Sequence, residues 1–244
     1  MASLTCFNRC FTFNWPMTLG VILVSSLFIY LGMWQLNRAE EKKSMVKAER
    51  HLAVQAPIRW QTGIQPKQYQ QIIIKGQYLA QTFLLDNQHY KHQFGYNVLS
   101  PLELVDGQVI LIDRGWIKGD LDRQKLPNIS LPKNPLQLVG QVYYPSSKNW
   151  SLGEILEEKA PNLAIIEQID PLKISQFLHK SVYPFIIRLN KLERDGYTRE
   201  WAVISMSPTR HQAYALQWFA MAVVSWLILI GLSFKNSNEE TKKI

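Results

Sequence analysis

WPMTLGVILVSSLFIYLGMWQL, residues 15–36, decides the fold. It contains no charged residue, and the uncharged run around it extends from residue 10 to residue 37. Crossing the hydrocarbon core of a bilayer takes about 20 such residues in a helix. A backbone in hydrocarbon must satisfy its own hydrogen bonds, so the segment is predicted to be a transmembrane helix. A second uncharged run, residues 212–234, is rich in Ala, Val, Leu and Ile. The alternative for both is a pair of core helices in a soluble protein, although globular helices seldom show so long an uncharged run. For the first segment a cleaved leader is the other alternative. Its apolar run exceeds the roughly 7–15 residues of a leader, and no small-residue cleavage site follows in LGMWQLNR, so an uncleaved anchor is expected.

Between these segments the pattern changes. RAEEKKSMVKAER, residues 38–50, is highly charged and is predicted to carry the first helix into water. Strand signals follow: QQIIIKGQYL with Gly76 as a candidate bulge, TFLLDN, two apolar runs about Asp106-Gly107 that read as a hairpin, LQLVGQVYYP and YPFIIRLNKL. PLKISQFLHK after Asp170 reads as a short helix, Trp60 falls in a loop bracketed by prolines, and DGYTREW leads out. The expected fold class is a membrane α+β protein: two transmembrane helices, 15–36 and 208–234, flanking a β-rich soluble domain over 37–207, with short tails at 1–14 and 235–244.

Composition narrows the function. Net charge is +8, from 27 basic and 19 acidic residues, but the basic residues are dispersed and no nucleic-acid motif is present. Contact with anionic lipid head groups is the simpler account. Cys6 and Cys10 are the two cysteines; their C-x3-C spacing has no second pair, so a zinc site is not expected. The β-rich domain has no cysteine and forms no disulfide.

SPTRHQAYALQWF, residues 207–219, opens the second helix. Ser207 suits the N-cap and Pro208 the first helical position. His211 then lies in the first turn, near the positive end of the helix dipole, which favours a neutral imidazole, the form that binds metals. Tyr214, Ala215 and Trp218 share its face, followed by the small residues Ala222 and Ser225. Two helices joined by a domain on one side run antiparallel, so the end of the first lies level with the start of the second. Trp34, Gln35 and Arg38 are thereby brought near Arg210, His211, Tyr214 and Trp218. The bland interpretation is an aromatic belt with snorkelling arginines and a hydrogen-bonded interfacial histidine. The sharper one is a haem pocket, since haem needs an axial nitrogen, a flat apolar wall and cations for its propionates.

LGMWQLNRAEEK, FGYNVLSPLEL, VILIDRGWI and RHQAYALQWF, in this order, resemble the Surfeit locus protein 1 family, from about Trp15 to Phe234. The resemblance implies a role in biogenesis of haem-copper cytochrome c oxidase, with haem a bound transiently and helped into the catalytic subunit. It implies that His211 is the iron ligand and hence the metal-binding residue, and that cytochrome c oxidase subunit I and haem a synthase are candidate partners beside membrane lipid. Positive charge beside the first helix favours a cytoplasmic domain, Lys235, Lys242 and Lys243 pull the other way, and long loops follow that rule poorly. The resemblance places the soluble domain outside a bacterial plasma membrane and both tails in the cytoplasm. Two departures stand out: Asp113 occupies a position where Asn is expected, and KQYQQIIIKG has glutamines where arginines are common.

Arg114, Gly115 and Trp116 are read as structural, through close backbone approach and packing. His89 and His92 are read as a solvated loop, with copper binding as the alternative; His51 and His179 are read as surface residues. Catalytic signatures are missing: no G-x-S-x-G, H-E-x-x-H, P-loop or dinucleotide fingerprint occurs, and an acid pair among Asp86, Asp106, Asp113, Asp120 and Asp122 is the outside alternative. The expected function is therefore non-enzymatic: a haem a chaperone and oxidase assembly factor or, alternatively, a cofactor-free two-helix tether that stabilises an assembly intermediate.

Overall fold

α1 runs as one uninterrupted helix from Trp15 to Ala53, so the charged stretch does extend the apolar one. The computed structural model describes residues 5–6, 9–11, 13–120, 122–123, 125–145, 156–201 and 203–236. It divides into two units, one of residues Met1–Val46 with Ile204–Ile244 and the other of Lys47–Val203.

In the first unit, β1 (Thr5–Cys6) and β2 (Arg9–Phe11) precede α1. The side chains of Cys6 and Cys10 lie outside the described residues. The strand that ends the unit lies directly after its second long helix, and it pairs antiparallel with β2, Phe234 opposite Phe11. Both long helices pass the length and hydropathy requirement for a membrane span, and only 11% and 17% of their apolar windows are buried. Core helices of a soluble protein would be mostly buried, so that alternative falls.

In the second unit β3 (Ile58–Arg59), β4 (Gln71–Tyr78), β5 (Thr82–Tyr90), β6 (Gln93–Glu103), β7 (Val109–Lys118), β8 (Leu136–Tyr143), β9 (Leu156–Ala160), β10 (Leu163–Ile166), α2 (Pro171–Leu178) and β11 (Val182–Leu189) follow in order. α3 (Pro208–Ser233) and β12 (Phe234–Asn236) complete the first unit. The sheet order is β3-β4-β8-β11-β7-β6-β5-β10-β9, and β4 also pairs with β6. That extra pairing closes β4, β8, β11, β7 and β6 into a barrel, from which β5, β10 and β9 extend. β11 and β7 are parallel neighbours, as are β10 and β5.

The barrel interior is built from alternate residues: Ile72 and Ile74 on β4, Ile110 and Ile112 on β7, Leu138 and Val142 on β8, and Phe185, Ile187 and Leu189 on β11. The intervening residues Leu111 and Ile186 face outward into a second cluster with Phe83, Leu99 and Ile174 of α2. β7 is therefore buried on both faces from Val109 to Gly115, which explains its unbroken apolar start. α2 begins at an Asp170 N-cap whose side chain accepts from the backbone N–H of Leu172 and Lys173.

Several expectations are corrected. Gly76 is not a bulge; it pairs regularly with Leu136, and a Cβ there would meet the Glu103 carbonyl at 2.4 Å, where β4 leaves β8 for β6. His89 lies in β5 opposite Phe94, with the rings in T-shaped contact, instead of in a loop. His92 is in the turn, where it and Lys91 both have left-handed φ. Trp60 is no loose loop residue: it packs edge-on against Tyr183 and Phe185 and donates Nε1–H to the Ile64 carbonyl at 2.7 Å.

Candidate functional site

The α1–α3 pair carries the strongest site candidate. On α1 the buried residues are Ser25, Gly32 and Ala39; on α3 they include Ala215, Ala222 and Leu229. Both series repeat every seven residues, the seam of a left-handed helix pair, and their small side chains suit a membrane, where packing drives association in place of hydrophobicity. A Cβ on Gly32 would lie 2.5 Å from Cε1 of Phe219, so glycine is required for the approach. Phe28 meets Trp218 with ring centroids 5.8 Å apart, and seven residues along α1 Gln35 meets His211, seven residues back along α3. That matched step identifies an antiparallel pair in register.

Ser207 is the N-cap of α3, its hydroxyl accepting from the Arg210 N–H at 3.4 Å, and Pro208 occupies the first turn. One turn into the helix, His211 places Nδ1 2.8 Å from Oε1 of Gln35. With an amide oxygen as partner, Nδ1–H is the donor, and the lone pair is left on Nε2. That Nε2 is buried and has no hydrogen-bond partner among the described residues. A histidine fixed through one nitrogen, with the other basic and unused, is the arrangement in which imidazoles ligate metals.

The other residues singled out by sequence are distributed around this point. Trp218 is half-buried beneath Phe28, whereas Trp34 and Tyr214 are 47% and 44% exposed on the outer faces of their helices. Arg38 forms an ion pair with Glu41 one turn along α1, and Arg210 is exposed. The structure thus joins His211 to Gln35 directly and Trp218 to Phe28. Phe28, Gly32 and Phe219 were missed by sequence reading; the signal for the first two was the 25, 28, 32, 35, 39 spacing on α1, readable only once its partner helix is specified.

A second group of buried polar residues lies in IDRGW on β7. Arg114 is 1% exposed; its Nε and Nη2 donate to the Asp195 carbonyl, its Nη1 donates to the Ser130 carbonyl at 2.9 Å, and its guanidinium lies over the rings of Tyr78 and Tyr197. Burial pushes the Tyr78 hydroxyl up to about 12, with Arg114 pulling the other way. Gly115 has φ of 109°, and a Cβ there would meet the Thr198 carbonyl at 2.6 Å. Asp113 is 2% exposed and accepts from Asn97 Nδ2 and from the Gly115 N–H, each at 3.1 Å. Burial pushes its carboxyl up to about 6, against the opposing pull of Arg188, Gly115 and Asn97. Among the described residues no cluster of three or more His, Cys, Asp or Glu could hold a metal.

A curated protein of Saccharomyces cerevisiae named cytochrome oxidase assembly protein SHY1 is 26% identical over 133 residues, covering 50% of this chain and 34% of that protein. A SURF1-like protein of Rickettsia felis is 28% identical over 101 residues, 40% of this chain and 45% of that protein. The chain therefore matches less than half the length of either relative. The model of the SURF1 family matches residues 22–223, which takes in α1 from Ile22 onward, the whole barrel and α3 as far as Val223. The chain belongs to the SURF1 family.

Proposed function

We propose that this protein is an assembly factor for a haem-copper cytochrome c oxidase, receiving haem a at the surface of a bacterial plasma membrane with His211 as the iron ligand. The observation that carries this reading is the orphaned Nε2 of His211, left free by the Nδ1–H bond to Gln35. The name of the yeast relative, a cytochrome oxidase assembly protein, supports the oxidase as the client. Haem iron takes an axial imidazole nitrogen, and the Gln35 amide oxygen that accepts from Nδ1–H fixes the ring and its tautomer. Trp218, packed on Phe28, supplies a flat apolar wall; the exposed Trp34, Tyr214 and Arg210, and Arg38 once released from Glu41, would turn toward the imidazole to enclose the haem and meet its propionates. A single histidine suits transient holding, because a second axial ligand would retain the cargo. The β domain, on the outer side, docks on oxidase subunit I or on haem a synthase. The role is carriage and assembly, with no bond made or broken in the client by this chain.

The test is the visible spectrum of protein purified from cells that make haem a. The wild type is expected to carry haem a, His211→Ala to lose it, and Gln35→Leu to bind it on the order of tenfold more weakly. A haem-free wild type, or an unchanged His211→Ala spectrum, defeats the assignment. A reporter fused after Ile244 is expected on the cytoplasmic side; an external reporter reverses the orientation. One observation favours a second reading, a cofactor-free tether: Nε2 is covered, and the Gln35 bond alone gives His211 a packing role. A haem-free wild type that still supports oxidase assembly selects it.

A further inference from the structure

We propose a second ligand site on the outer face of the barrel, centred on Arg188, that binds a carboxylate borne by a polypeptide. The register places four polar side chains in one row across four adjacent strands: Gln71 on β4 pairs with Gln141 on β8, Gln141 with Arg188 on β11, and Arg188 with Asp113 on β7. Paired residues in adjacent strands share a face. Apolar residues fill most of the barrel's other positions, so a row of two amides, a guanidinium and a carboxylate is an exception that invites explanation.

Two of the four have internal partners. Asp113 is held by Asn97 and the Gly115 N–H. Gln141 donates to Glu49 at 3.3 Å. Arg188 is different. Its guanidinium lies 3.6 Å from the centre of the Tyr143 ring and 5.3 Å from that of Trp201, and its Nε and Nη1 are buried without a hydrogen-bond partner among the described residues. Oε1 of Gln71 is likewise buried without a partner among the described residues. A buried donor of positive charge without an acceptor is costly, so a fold that keeps one has a use for it.

Space is available where those atoms lie. Three clefts meet at Arg188, of about 330, 220 and 250 Å³. The largest is lined by both Gln71 and Arg188, with Trp201 as a wall and Lys191 at its margin. The free atoms specify the ligand: Arg188 lacks an acceptor and Gln71 lacks a donor. A carboxylate supplies the first, and guanidinium is the side chain best shaped to receive it. A peptide N–H next to that carboxylate supplies the second. Charge argues for one negative charge and not two. Asp113, Glu167, Glu49 and Glu200 also line these clefts. A dianionic phosphate would meet their repulsion with one guanidinium and one lysine to offset it. This site is independent of the haem reading and lies wholly within the β domain.

The experiment uses the full chain in detergent micelles at constant ionic strength. Acetate, acetamide, inorganic phosphate, N-acetyl-triglycine and its C-terminal amide are titrated while thermal unfolding and tryptophan fluorescence are followed. Acetate and N-acetyl-triglycine are expected to raise the melting temperature saturably, and acetamide and the amidated peptide are not. The free peptide is expected to bind on the order of tenfold more tightly than acetate, a gain that Gln71→Leu removes while leaving the acetate response in place. Equal binding of the two would assign the site to small free carboxylates. Arg188→Gln should abolish both responses, and Arg188→Lys, which keeps the charge and serves where the Gln variant fails to fold, should weaken them about tenfold. Responses that persist in both variants, that acetamide reproduces, that phosphate exceeds, or that fail to appear in the wild type overturn the site.

Discussion

Arg114 and Arg188 stand on neighbouring parallel strands, one position apart in register, and point to opposite sides of the same wall. Arg114 faces the barrel, 1% exposed, where the carbonyls of Asp195 and Ser130 take up its donors. Arg188 faces outward among clefts and has buried donors that nothing among the described residues takes up. The residue type is the same and so is the sheet. A buried charge is structural when the fold supplies its partners and points to a ligand when the fold withholds them.

The largest effect is expected from Arg114→Ala. It would leave two carbonyls without donors and a void between Tyr78 and Tyr197. We expect a loss of about 3–5 kcal/mol, read as a lower denaturation midpoint of the β domain. A loss below about 1 kcal/mol would mean that water replaces the side chain and that Arg114 is no keystone. Gly115→Ala comes next. Its φ of 109° and the Thr198 carbonyl 2.6 Å from a new Cβ predict a loss of about 2 kcal/mol by the same measurement. Trp116 and Thr198 exchange backbone hydrogen bonds across this point, so the damage should appear as faster hydrogen exchange at those two amides.

Much of this was legible in the sequence, and the limits are physical. The two long helices were readable because hydrocarbon permits little else. His211 and Trp218 were readable as one face because helical period is local. Arg114 and Trp116 were correctly read as structural from IDRGW. β9 and β10 were not seen: LEEKA is a polar edge strand, and LAII pairs in parallel with a strand about 80 residues earlier. The Gln71–Gln141–Arg188–Asp113 row was invisible for the same reason. It depends on the register of four strands drawn from distant parts of the chain, and no local pattern encodes that. Asp113 was noticed as a departure from an expected Asn and as one of five aspartates that could supply an acid pair, neither of which placed it in this row. The structure shows what the departure costs, since burial raises its carboxyl to about 6.

Asp113→Asn tests that cost. The sign follows from proton uptake. Between about pH 4 and pH 6 the folded chain holds a proton on Asp113 that the unfolded chain has released, so the contribution of Asp113 to stability falls as pH rises from about 4 to about 6. Above that the full cost of a buried anion remains. Asn accepts one of the two hydrogen bonds and forfeits the other. We therefore expect a net gain of about 1–2 kcal/mol at pH 7.5, and loss of the pH 4–6 slope in denaturation midpoints. A variant with the wild-type slope would assign that titration elsewhere.

The smallest effect is expected where the comparison is sharpest. Arg188→Gln removes donors that bond nothing among the described residues, and relief of that unpaired burial offsets the lost contacts with the Tyr143 and Trp201 rings, so at pH 5 its stability should stay within about 0.5 kcal/mol of wild type. Arg188 does favour the ionised form of Asp113, and its loss moves the Asp113 window upward. The deficit of the variant should therefore open as pH rises above 6 and vanish in an Asp113→Asn, Arg188→Gln double variant. A large deficit at pH 5 would show that Arg188 holds the barrel together as Arg114 does, and its unpartnered nitrogens would then be filled by water instead of by a ligand. A deficit confined to high pH leaves Arg188 with no structural task except its field at Asp113, and its donors free for a carboxylate.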